Sequence, residues 1–94
     1  MRWLALALLL CSACSGAGPA DVFRANCERR AECGLITQEQ VATCRRSLAQ
    51  ELESFIDECH RPYVDLYACE AGLECGEYGT CADLFKGCFG QRKQ

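Results

Sequence analysis

The sequence predicts an all-α fold, a small disulfide-stapled bundle of three to four helices, on three observations. Apolar residues recur at helical spacing from Gln38 to about His60, and no run longer than four residues alternates with period two. Eight cysteines fall within the 80 residues that follow Cys14, a density that points to disulfides. The chain has 94 residues, which leaves room for one domain. Of the 80 residues after Cys14, fifteen are Leu, Ile, Val or Phe, so the apolar core is thin. A chain of this size hides about 60 to 65% of its unfolded surface and normally depends on cross-links, metal or a partner.

The elements follow in chain order. Met1-Arg2-Trp3 places one positive charge before the apolar run Leu4–Leu10, and Ser12 and Ala13 are small. This is the pattern of an export signal. Seven to ten apolar residues span about 10 to 15 Å as helix against a hydrocarbon core of about 30 Å, so the run does not anchor the chain by crossing a membrane. We divide the chain into a signal at 1–13, Cys14 with a flexible tether at 14–20, a disulfide-rich helical domain at 21–89, and a polar tail at 90–94.

Within the domain, Asp21 is placed to cap a helix over Val22–Cys33, with Gly34 to end it in a left-handed conformation. Thr37 and Gln40 form a capping box for the second helix, Gln38 to about His60. At 100° per residue, Val41, Cys44, Leu48, Leu52, Phe55, Ile56 and Cys59 share an arc of about 120°. Arg46, Gln50, Glu53 and Asp57 occupy the opposite, solvent side. Pro62 opens a third helix, which offers Val64, Leu66, Tyr67 and Cys69 for burial before Gly72 closes it. A fourth helix, capped by Thr80, runs from Cys81 to Cys88, and 73–79 is loop.

Geometry limits how Cys27, Cys33, Cys44, Cys59, Cys69, Cys75, Cys81 and Cys88 pair. Cys27 and Cys33 lie about 9 Å apart along one helix, and bridged Cα atoms sit within about 7 Å, so these two do not join. Cys44 and Cys59 lie about 22 Å apart in one helix and each must reach another element. Cys33 is the nearest partner for Cys44 across the 34–37 turn. Cys59 takes its partner from Cys69, Cys75, Cys81 or Cys88. The connectivity beyond that stays open.

The same residues carry little chemistry. Gaps of 5, 10, 14, 9, 5, 5 and 6 residues separate the eight cysteines, with none of the close pairs that structural zinc or thioredoxin-like redox centres use. His60 adjoins Cys59, but sequence neighbours on a helix diverge by about 100°, and an imidazole suits a helix C-terminus. Glu51, Glu53, Asp57, Glu58, Asp65 and Glu70 read as solvated faces. No GxSxG or glycine-rich phosphate loop occurs. The chain after Cys14 has nine basic and thirteen acidic residues, a net of −4. Its basic pairs, Arg29-Arg30, Arg45-Arg46 and Arg92-Lys93, do not make the basic surface that nucleic acid requires. The expectation is therefore a protein that is not an enzyme, uses no cofactor or metal and binds no nucleic acid. Arg61, Tyr63, Tyr67 and Tyr78 are the candidate interaction surface, since Tyr and Arg dominate binding hot spots; Tyr63 and Tyr67 alternatively pack against the core.

The leading segment resembles bacterial lipoprotein signals, in which a short apolar run ends in a Leu-small-small-Cys box and the cysteine is diacylated. Cys14 follows two small residues but has Cys11 in place of Leu. Cys11 has Leu8 in that place but bulky Leu10 before the cut. Lipidation of Cys14 leaves eight cysteines to pair, whereas cleavage before Cys11 leaves nine, and an odd thiol is a liability in an oxidising compartment. The resemblance implies a membrane partner through a lipid anchor, and Ser15 after the cysteine implies outer-membrane delivery in the bacterial envelope. The alternative is an ordinary secretory signal cut after Ala13 or Ala20, which gives a soluble secreted protein. The spacings Cys33-x10-Cys44 and Cys59-x9-Cys69 are similar to twin CX9C hairpins, but Gly34, Thr37 and Pro62 interrupt the helices that such hairpins need. The adjacent-cysteine elements of plant lipid-transfer proteins are absent. The whole chain resembles small cysteine-rich bacterial lipoproteins of unassigned role. The reading is an exported structural or protein-interaction module, with an inhibitor of an extracellular hydrolase as the alternative.

Overall fold

A computed structural model describes residues 18–77 and 79–93. The expected lipidation site Cys14 and the candidate interaction residue Tyr78 lie outside the described residues. Three α-helices, α1 (Pro19–Glu32), α2 (Val41–Ser54) and α3 (His60–Ala71), carry the domain. Short 3-10 segments at Gln38–Gln40, Asp57–Cys59 and Ala82–Cys88 join and complete them. No strand occurs among the described residues, where β pairing is limited to an isolated antiparallel bridge between Phe55 and Arg92.

The first helix begins three residues earlier than expected. Pro19 occupies its first position, where the missing N–H costs nothing and the fixed φ suits a helix. Gly18 is the N-cap, and Asp21 sits in the first turn, paired with Arg24 at 3.3 Å. The tether assigned to 14–20 therefore gives up Pro19 and Ala20 to α1. At the other end the chain closes in a Schellman motif: the Gly34 N–H donates to Ala31 O at 3.0 Å and the Leu35 N–H to Arg30 O at 2.9 Å. Gly34 adopts φ 77° there, as the motif requires.

Thr37 opens the next element, its N–H donating to Gln40 Oε1 at 2.8 Å. The long helix expected from Gln38 to His60 is broken. It stops at Ser54, and Phe55 and Ile56 are extended, with ψ of 157° at both. The cause lies at the far end of the chain. Gly90, at φ 84°, turns residues 91–93 back along this segment. The Ile56 N–H then donates to Gln91 O at 3.0 Å and the Lys93 N–H to Ser54 O at 2.8 Å. Arg92 lies over the Phe55 ring at 4.3 Å and Lys93 reaches Asp57 at 3.7 Å. The expected polar tail at 90–94 is thus largely docked. Pro62 enforces the break from the other side, because inside a continuous helix its ring would meet the carbonyl four residues back. Placed in the first turn of α3 it meets no such carbonyl.

The expected inward face survives the break. Leu48, Leu52, Phe55 and Cys59 are buried, and Val41, Cys44 and Ile56 pack against them. Tyr63, Phe23, Cys27 and Phe85 complete the core. The last segment differs from its expectation: Ala82–Cys88 is 3-10 rather than α, and Thr80 Oγ1 donates back to Glu77 O at 3.2 Å instead of capping it.

Four disulfides close the fold: Cys27–Cys44, Cys33–Cys75, Cys59–Cys88 and Cys69–Cys81. Cys44 reaches the first helix as expected, but its partner there is Cys27 instead of Cys33. Helices α1 and α2 run antiparallel, which brings Cys44 level with the middle of α1 and leaves Cys33 beyond its end. Their Cα separations of 5.5 to 6.0 Å need no distortion. With sequence separations of 12 to 42 residues, each bridge contributes about 3 to 4 kcal/mol in the chain-entropy account, comparable to half the stability of a small domain. Complete reduction is expected to abolish the helical far-ultraviolet circular dichroism signal at 25 °C. Retention of that signal by the fully reduced protein is the contrary result.

Candidate interaction surface

Helix α3 positions the residues singled out as an interaction surface, and it separates them. Tyr63 is 1% exposed and stands at the hub of the core. Its ring meets Phe23 at 5.8 Å, Phe55 at 5.5 Å, Phe85 at 5.6 Å and Tyr67 at 4.8 Å, mostly edge to face. It is withdrawn from the candidate surface: i, i+4 spacing stacks Tyr63 and Tyr67 on the inner face of α3. Its hydroxyl lies near Tyr67 and Glu51 and has no hydrogen-bond partner among the described residues. Burial first, then the neighbouring Tyr67 and Glu51, push its pKa far above the usual phenol range, so it stays neutral.

Tyr67 is half-buried, with the Arg30 guanidinium over its ring at 5.6 Å. Arg61 is exposed and pairs with Asp65 at 3.2 Å, so of the described candidates it alone faces fully outward. It rims a shallow groove of about 540 Å³ with Val22, Leu52, His60 and Val64. His60 begins α3 instead of ending a helix, and its Nε2 lies 3.1 Å from Phe55 O, a carbonyl exposed by the break in α2. Cys59, its neighbour, is bonded to Cys88. Of the carboxylates, Glu51, Glu53, Asp57, Glu58 and Asp65 are exposed, and Glu70 is half-buried against Arg30 at 3.9 Å.

A more ordered feature is the loop after α3, which the sequence offers as the contact of the inhibitor alternative because Cys69 and Cys81 bracket it. Cys69–Cys81 closes its base and Cys33–Cys75 ties its middle to the end of α1. Between these bridges Arg29 clamps the backbone: its Nε and Nη2 donate to Leu73 O at 3.1 and 2.9 Å. Asn26, 2% exposed, adds a second tie, its Nδ2 donating to Tyr67 O at 3.1 Å. The signal for Asn26 was present in the sequence, since it shares one helical face with Phe23 and Cys27. No local pattern marks Arg29, because its partner is a backbone carbonyl 44 residues away.

The Arg29→Met variant keeps the aliphatic stem and removes both donors. It is expected to cost about 1.5 to 3 kcal/mol in urea unfolding of the oxidised protein, and to speed cleavage by a glutamate-specific protease at Glu74 and Glu77. Unchanged stability and cleavage would show that the clamp is idle. Comparison with protein-family models, with curated proteins and with solved structures finds no match for this chain.

Proposed function

We propose that this chain is an exported, lipid-anchored module of the bacterial envelope that presents a rigid surface to a protein partner and performs no catalysis itself. The observation that carries this reading is the pairing of all eight cysteines of the helical domain in four bridges. Such bridges persist in oxidising compartments outside the cytosol. The export-type segment before the domain and the parity of the remaining cysteines support anchoring at Cys14. Two or three acyl chains anchor stably where one does not. For the protein as expressed, intact-mass measurement is expected to show acylation that disappears in Cys14→Ser, together with loss of detergent-phase partitioning. An unchanged mass and partitioning in the variant would remove the anchor.

One observation favours a second reading, an inhibitor of an extracellular hydrolase. The 72–80 loop is held at its base, its middle and at Leu73, and a pre-ordered loop binds without the entropy cost of fixing a mobile one. On this reading a panel of secreted and envelope hydrolases contains at least one enzyme that the oxidised protein inhibits, with inhibition lost in Tyr78→Ala. Inhibition of none leaves the presenting module as the sole reading.

A further inference from the structure

We infer that the face formed by α1 and α2 around Arg45 and Arg46 rests on anionic lipid headgroups. A groove of about 310 Å³ runs between the two helices, lined by Ala20 and Phe23 from α1 and by Ala42, Arg45, Arg46 and Ala49 from α2. The α2 residues recur at i, i+3, i+4 and i+7, so they form one stripe along the helix. Ala42, Arg45 and Ala49 lie beside the buried face and Arg46 lies at the stripe's outer, solvent edge, with Glu53, one turn beyond Ala49, at its end.

Charge sets this stripe apart. Arg24, Arg29, Arg30, Arg61 and Lys93 each sit within 4.0 Å of a carboxylate, Arg92 covers Phe55, and Lys86, exposed and without a carboxylate partner among the described residues, stands singly on the last 3-10 segment. Arg45 and Arg46 are exposed and have no carboxylate partner among the described residues. In a chain of net charge −3, two adjacent unpaired guanidinium groups above an apolar groove match an anionic amphiphile. Their stems can lie along the alanines while the charged ends reach outward to phosphate. A second copy docked by the same face would set arginines against arginines.

Position favours a membrane over an acidic protein. Ala20 lines the groove, and it follows Cys14 by six residues, which extend at most about 20 Å. The inference rests on the anchored reading for this proximity. With the acyl chains inserted, the groove adjoins the point where the chain leaves the bilayer, as does the groove that Pro19 and Val22 line beside Arg61, whose charge is already paired with Asp65. Two arginines near an anionic surface then favour that orientation by about tenfold or more.

The test uses the full chain as purified from cells, mixed with an excess of vesicles of phosphatidylcholine alone or with one quarter phosphatidylglycerol. Phenylglyoxal modification of each arginine is followed by peptide mass spectrometry. Arg45 and Arg46 are expected to react about tenfold more slowly on the anionic vesicles, with Arg24 and Arg61 changed less than about twofold and the protection lost in 1 M salt, where the Debye length is about 3 Å. Equal rates on both vesicles would overturn the inference, as would protection that appears only when other envelope proteins are added, which would assign the face to an acidic protein. The intact mass of the same preparation reports acylation separately. An unacylated protein whose Arg45 and Arg46 are still protected on anionic vesicles defeats the anchor and keeps the face.

Discussion

The Cys33–Cys75 bridge is the constraint on which the rest of this structure depends. It joins the end of α1 to the loop after α3, across 42 residues of sequence, and its span interleaves with those of the other three bridges. Cys44 lies inside its span while Cys27 lies outside, Cys59 inside while Cys88 is outside, and Cys69 inside while Cys81 is outside. The four loops are therefore linked in series through one bridge, and no helix is held by a bridge that closes only on itself. Among the described residues nine apolar ones are buried, and three of them are themselves bridged cysteines. A core of that size gains too little from burial to order the backbone alone, so sulfur and packing must act at the same positions. Cys27 and Cys59 do so directly, since they lie at 0% and 2% exposure within the aromatic cluster.

Tyr63 shows the cost of building a core from few residues. One large ring touches aromatic side chains from α1, α3, the extended segment after α2 and the last 3-10 segment, which fixes the distances among four pieces of chain. The same burial strands its hydroxyl without a partner, a loss of about 1 to 3 kcal/mol. A phenylalanine there would keep the ring contacts and avoid that loss. The arrangement is stable because the edge-to-face contacts and the area of the ring outweigh one unmet hydroxyl. Asn26 has the same character: its amide nitrogen ties α1 to α3 while its carbonyl oxygen is left unpaired. The pairings Phe23 with Tyr63, Asn26 with Tyr67 and Arg29 with Leu73 advance together along both helices. Helices α1 and α3 thus run parallel, with Cys33–Cys75 as the last member of the series.

Much of this was legible from residue spacing, and the failures share a cause. The inward face of Val41 to Cys59, the left-handed Gly34 and the exclusion of a Cys27–Cys33 pair all depend on contacts within one helical turn or on its rise, which local periodicity records. The break at Phe55 depends on Gln91 and Lys93, more than 35 residues later, and nothing near Phe55 announces it except Pro62. The assignment of Cys44 to Cys33 followed proximity along the chain, whereas the real choice is made by the antiparallel return of α2 against α1. In the candidate surface, Arg61 is exposed, the usual position of a charged side chain. Tyr63 was left between two readings because tyrosine suits both a core and an interface. Only its neighbours in space, Phe23, Phe55 and Phe85, decide between them.

The distribution of ionic contacts follows from the same scarcity. With so little apolar area, the domain uses charged side chains to join elements: Arg30 to Glu70 and Arg29 to Leu73 O link α1 with α3 and the following loop, and Lys93 to Asp57 secures the returning chain end. Exposed pairs of this kind contribute little singly. The Arg30–Glu70 pair at the α1–α3 junction is half-buried and shares Glu70 with Asn26, which couples the two contacts. Against that background an arginine with no carboxylate partner among the described residues is informative. Arg45 and Arg46 stand beside the exposed Ala42 and Ala49 where the groove floor is Phe23 of α1, and these small side chains leave a hollow instead of a filled seam. A well-packed seam would need larger residues at Ala42 and Ala49; small ones there keep the hollow open to whatever lies outside. The charge above it and the apolar floor below it constrain that neighbour to be anionic at one end and greasy at the other.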